Sequence, residues 1–104
     1  MTKLDSVITD KVRGLREKFG YTPNDLACIT GISASFINSV ESKKSHEKYN
    51  LKHLSRIAFL FGCKISDFLP NNFKDIFDNE ELNELKIEKS KIELRLENKL
   101  TRRR

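Results

Sequence analysis

The stretch SASFINSVES at residues 33–42 combines side chains of one chemical kind with a helical repeat. Ala34, Ser35, Asn38 and Ser39 share one side of a helix, and they are short, uncharged and mostly able to hydrogen-bond. Ile37 and Val40, with Ile32 just before them, form the opposing apolar side. That polar face offers hydrogen bonds rather than acid/base chemistry. No acid/base pair, nucleophile arrangement or metal-ligand constellation stands out elsewhere in the sequence, so an enzyme is not expected, and neither a cofactor nor a metal is called for. His46 and His53 flank a basic loop with no carboxylate pattern nearby and read as surface histidines. Cys28 and Cys63 sit in helical patterns without zinc-type spacing and read as two reduced thiols.

The elements around this face are short and helical. Thr22 is a good N-cap, Pro23 fits the first helical position and Asp25 the first turn, which predicts a helix over Pro23 to about Thr30. Gly31 follows where a tight turn needs positive φ, and Ser33 can cap a second helix from Ala34 to about Ser42. Two short helices joined at a glycine, the second small and polar outside, describe a helix-turn-helix. Ahead of it, Ile8, Val12, Leu15 and Phe19 predict a helix over 6–19 with Gly20 as its end. After the basic loop KKSHEKY at 43–49, Asn50 caps a fourth helix to which Leu51, Leu54, Ile57, Ala58 and Phe61 give a buried face. Phe59 falls opposite, near Lys52 and Arg56. A short fifth helix over 65–69 ends at Pro70. Phe36, at the edge of the third helix, fits either a sugar–phosphate contact or closure of the core.

The fold class expected is all-α: a five-helix domain over 1–70, a linker or docking turn over 71–79, and a charged C-terminal helix over 80–104 ending in a basic tail. Phe73, Ile76 and Phe77 are spaced for one turn that docks back on the domain. Leu82, Leu85, Ile92 and Leu96 make a partial a/d repeat interrupted by Lys89 and Lys99, although KIELRLEN also alternates as a strand would. The chain carries a net charge of +5, with 38% apolar and 34% charged residues, which favours a thin core and a polyanionic partner such as nucleic acid. Residues 1–69 hold eleven Lys or Arg against seven Asp or Glu, so the surplus lies on the helical domain. No apolar run is long enough to span a membrane, and MTKLDSVITD lacks the apolar core of a signal peptide.

From Ile8 to Leu69 the chain resembles the Cro/repressor-like (xenobiotic-response-element, lambda-repressor-like) helix-turn-helix family. The residues that carry the likeness are VRGLREKFG at 12–20, DLA at 25–27, GIS at 31–33, INSVE at 37–41 and LSRIAFLFG at 54–62. The resemblance implies a cytoplasmic bacterial or phage regulator that binds operator DNA, usually as a dimer. It implies a structural ion pair between Arg16 and Glu41, and base reading by Ala34, Ser35, Asn38 and Ser39. Asn38 is the strongest of these, because an amide can pair with adenine N6 and N7. Backbone contacts are expected from Thr22, Asn24, Ser33, Lys43, Lys44, Ser45 and Lys48. Two departures from the family matter. Pro23 stands where many relatives carry a phosphate-holding glutamine, and no Arg, Gln or Lys occurs between 33 and 42. Modest base discrimination supplemented by DNA shape is therefore expected.

The function expected is a sequence-specific transcriptional repressor, homodimeric on a palindromic operator. Phe59, Phe73, Phe77, Leu85, Ile92 and Leu96 are the candidate interface residues. Two alternatives stay open: an antitoxin whose C-terminal segment wraps a toxin, and a protein-interaction module that has lost DNA binding.

Overall fold

The computed structural model describes residues 2–42 and 44–102. Its helices are α1 (Lys3–Lys18), α2 (Pro23–Thr30), α3 (Ala34–Glu41), α4 (Leu51–Phe61) and α5 (Asn79–Arg102), and no strand forms among the described residues. Helix α1 starts earlier than periodicity suggests. Thr2 accepts from the Asp5 N–H while the Asp5 carboxylate accepts from the Thr2 N–H, a capping box that satisfies two orphan donors. Its end is set by Gly20 at φ 75°, which lets the Tyr21 N–H reach back to the Arg16 carbonyl at 3.0 Å.

Eight residues are too few for a stable helix in water, so α2 and α3 depend on what they bury. Leu26 of α2 and Ile37 and Val40 of α3 are almost wholly inaccessible. They join Ile8 and Val12 from α1, Leu54, Ile57 and Ala58 from α4, and Phe68, Ile32 and Tyr49 in one core. Each fully buried aliphatic side chain contributes about 1.5–3 kcal/mol.

Three expectations change. Leu51 is 70% exposed: as the first residue of α4 its side chain lies beyond the packed turns. The fifth helix is a single 3₁₀ turn, Ile65–Phe68, because Leu69 is held extended ahead of Pro70. It buries Phe68, while Leu69 stays exposed. Phe19 is also exposed, but it is not isolated: its ring meets Phe61 edge-on, with centroids 4.8 Å apart.

The segment after Pro70 docks on α1 through a second 3₁₀ turn, Phe73–Asp75. Lys3 Nζ donates to the Lys74 carbonyl, and Lys11 Nζ donates to the Leu69 carbonyl at 3.1 Å. Ile76 and Phe77 are half-buried there, whereas Phe73 is exposed. Helix α5 then runs out from the domain for 24 residues and draws the molecule to 64 × 28 × 20 Å. Residues 91–98, where alternation left a strand open, lie inside it.

Candidate nucleic-acid interface

The α2–turn–α3 unit is fixed at each of its joints. Thr22 accepts from the Asp25 N–H at 3.1 Å, and the Asp25 carboxylate accepts from the Thr22 N–H at 2.9 Å. Hydrogen bonding to Thr22, its main chain first and its side chain second, holds the exposed Asp25 carboxyl below the usual carboxylate range. Pro23 occupies the first helical position, where no partner for a backbone N–H is missed. At the turn, Gly31 adopts φ 75° and donates its N–H to the Ala27 carbonyl at 2.9 Å. A Cβ there would stand 3.4 Å from Arg56 Nη1 as well as forcing a side chain into the left-handed region. Ser33 then caps α3 by accepting from the Phe36 N–H at 3.1 Å.

Burying Ile37 and Val40 turns the other side of α3 outward. Ser35 and Asn38 are exposed, and Ala34 and Ser39 half-buried. Phe36 closes the core edge rather than standing free, with its ring 4.7 Å from His53 and 6.2 Å from Tyr49.

The far end of α3 is anchored to α1 by charge. Arg16 grips Glu41 through two parallel contacts, Nη2–Oε1 at 2.7 Å and Nε–Oε2 at 3.0 Å, while its Nη1 donates to the Tyr21 carbonyl at 2.7 Å. Both side chains are only 11% exposed. A bidentate guanidinium–carboxylate pair fixes angle as well as distance. Arg13, which sequence reasoning passed over, adds a second guanidinium: Nε lies 3.3 Å from Glu41 Oε1 and Nη2 donates to the Glu41 carbonyl. The clue was present, since Arg13 precedes Arg16 by three residues and so shares its side of α1. Tyr49 packs beside this cluster. Burial first, and the Glu41 charge second, push its phenol well above its ordinary range, so it stays neutral.

The other predicted contact residues fall around α3. Ser33 stands at its N-terminus; Lys44 and Ser45 follow its C-terminus, Lys44 exposed and Ser45 half-buried with its hydroxyl accepting from the Glu47 N–H. Lys48 is exposed further along that loop, and exposed Thr22 and Asn24 sit at the start of α2. Lys43, Arg103 and Arg104 lie outside the described residues.

A second basic element was not foreseen. Lys52, His53 and Arg56 from α4 line a shallow groove with Gly31, Ser33 and Phe36, next to the N-terminus of α3. Arg56 Nη1 donates to the Thr30 carbonyl at 3.3 Å and so caps α2. The i, i+4 spacing of Lys52 and Arg56 was the available signal. His53 is not a plain surface histidine. It is half-buried, and its Nδ1 accepts from the Asn50 N–H at 3.2 Å, completing the α4 capping box. Burial, then Arg56 and Lys52, lower its pKa, and the neutral ring is the one whose Nδ1 can accept.

Residues 11–73 match the family model for the Cro/C1-type HTH DNA-binding domain. The chain belongs to that family. No curated protein matches it closely enough to count as a relative. The match runs from the middle of α1 to the start of the second 3₁₀ turn, and the presence of this domain makes the chain a DNA-binding regulator. Among the described residues no helix is long and apolar enough to cross a membrane. Of the residues expected at a protein interface, Phe59 is 89% exposed and uncovered by α5. Leu85, Ile92 and Leu96 are about half exposed along α5.

Proposed function

We propose that this Cro/C1-type protein is a sequence-specific transcriptional repressor that lays α3 in the major groove and acts as a homodimer on a two-fold-related operator in the cytoplasm. The observation that carries this reading is the pairing of a small, polar, outward α3 face with a buried bidentate Arg16–Glu41 clamp behind it. Short side chains reach base edges only if the helix sits close and at a fixed angle, and the clamp supplies that angle.

Within this reading Asn38 pairs bidentately with adenine, Ser35 and Ser39 offer adaptable hydrogen bonds, and the Ala34 methyl meets a thymine methyl. Thr22, Asn24, Ser33, Lys44, Ser45 and Lys48, joined by Lys52 and Arg56, hold the phosphates and set the register. Lys43 belongs to the same group by sequence. Pro23 itself supplies no phosphate donor, so the α4 pair takes on part of that task. Binding as a dimer doubles the small base contact of one domain and spaces the two α3 helices by about 34 Å, one turn of DNA.

Selection of bound sequences from random DNA by the purified chain tests this directly. A two-fold-symmetric motif with half-sites about one turn apart is the expected result. An asymmetric motif removes the dimeric operator, and no enrichment removes sequence-specific reading. An antitoxin remains the second reading, on the ground that residues 83–100 of α5 are exposed; a toxin co-purifying in fixed ratio would favour it.

A further inference from the structure

Helix α5 carries an apolar stripe that stands exposed from Leu85 onward, while Leu82 near its start is half-buried. Leu82, Leu85, Ile92 and Leu96 occupy a and d positions of a heptad, with Lys89 and Lys99 in the remaining seam places. Leu85 and Ile92 are each 48% exposed and Leu96 51%. The charges flanking the seam distinguish the ways in which a second helix could lie on it. With Leu82 as position a, Glu81, Glu88 and Arg95 fall at g, and Lys86 and Glu93 fall at e.

In a parallel pair each g residue meets the e residue of the next heptad. Glu81 would then face Lys86, but Glu88 would face Glu93, an attraction offset by a repulsion. In an antiparallel pair g meets g and e meets e. When Leu85 lies against Leu96 of a second copy, Glu88 meets Arg95 and Lys86 meets Glu93. Two-fold symmetry makes each contact twice, and all of them are attractive. Glu88 and Glu93 already have neighbours on their own helix, Lys91 at 3.2 Å and Lys89 at 3.8 Å, but these pairs are well exposed and compete weakly. Lys89 falls opposite Ile92 of the second copy, where its alkyl stem can pack while its ammonium reaches solvent. Ile87 and Leu94 lie on the outer side and take no part.

We propose that α5 pairs with α5 of a second copy of this chain, antiparallel, in the register that sets Leu85 against Leu96. This deepens the homodimer reading above and rests on it, whereas DNA binding is a separate property of the domain. The two-fold axis passes between Ser90 and Lys91. At 1.5 Å per residue it places the two Asn79 residues, where the domains attach, about 34 Å apart along the pair. That is close to one turn of DNA.

Sedimentation equilibrium on the full-length chain tests the pairing, since the substituted side chains are exposed and circular dichroism melting can verify that the domain stays folded. Glu88→Arg sets like charges together twice and should weaken the dimer roughly tenfold, as should Arg95→Glu. The double variant Glu88→Arg/Arg95→Glu should restore wild-type association, and Ile92→Asp should abolish it. A dimer tightened by Glu88→Arg would be parallel and would overturn the proposal. A dimer indifferent to Ile92→Asp would be built elsewhere, and a different protein found in fixed ratio on α5 would displace the second copy; both overturn it. A monomeric wild-type chain would remove the homodimer reading too. DNA affinity against salt, measured on the same samples, reports separately whether the domain still binds DNA.

Discussion

The domain over residues 11–73 and the helix α5 end in opposite states. In the domain, short helices that could not stand alone share one apolar centre, and even the charges close upon each other, as in Arg16–Glu41. In α5 a long helix keeps its apolar stripe and its ion pairs in solvent. The same kinds of contact therefore carry different weights. A carboxylate at position 41 stands between two guanidinium groups in a largely dry place, whereas one at position 88 is 64% exposed. Stability should be concentrated in the domain, and α5 should be available for association.

The sharpest way to break this contrast is to remove one carboxylate from each region. Glu41→Ala leaves Arg16 buried without its partner and should destabilise the fold by about 3–5 kcal/mol in chemical denaturation. Glu88→Ala should change the domain's stability by less than about 0.5 kcal/mol. Equal effects would contradict the distinction. Apolar truncation gives a slightly smaller contrast: Ile37→Ala should cost about 2–4 kcal/mol, while Ile92→Ala should leave the domain's unfolding transition nearly unmoved. Next, Gly31→Ala should cost about 1–2 kcal/mol, because alanine must take the left-handed conformation beside Arg56.

The smallest effect is a pH dependence. The folded-state pKa of His53 lies below its ordinary 6.5. Its contribution to stability is thus fully present above that value and is lost as pH falls through the lower folded value. The thermal midpoint should drop modestly between about pH 7 and about pH 5, and the drop should shrink in His53→Gln. An unchanged drop would show that His53 is not the group responsible.

Much of this was legible in the sequence because local chemistry and global packing agree there. Thr22, Pro23, Gly31, Ser33 and Asn50 each mark a helix boundary for a stereochemical reason, and the structure places those boundaries where they fall. Periodicity located Ile37, Val40, Leu54 and Ile57 in the core. It failed where tertiary context decides. Leu51 keeps the period of α4 but lies about one turn ahead of its first buried residue, Leu54, and Ile65–Phe68 has too little chain before Pro70 to complete an α-helix. Asp5 and Thr2 form a capping box that a search for apolar stripes overlooks. The outward polar face of α3 was legible, and the candidate contacts around it less so. Arg13, Arg56 and His53 act through contacts 28, 26 and three residues away, so the spacing of Arg13 with Arg16 and of Lys52 with Arg56 marks a shared helix face but not the partner.

The most direct measurement compares the wild-type chain with Asn38→Ala on a selected operator and on its single-base variants, each across a salt series. Reading by α3 predicts that Asn38→Ala loses about 1–3 kcal/mol of preference at one base pair while the slope of log K against log[salt] stays as in wild type. Equal weakening on every sequence, or an affinity that does not respond to salt, would contradict it.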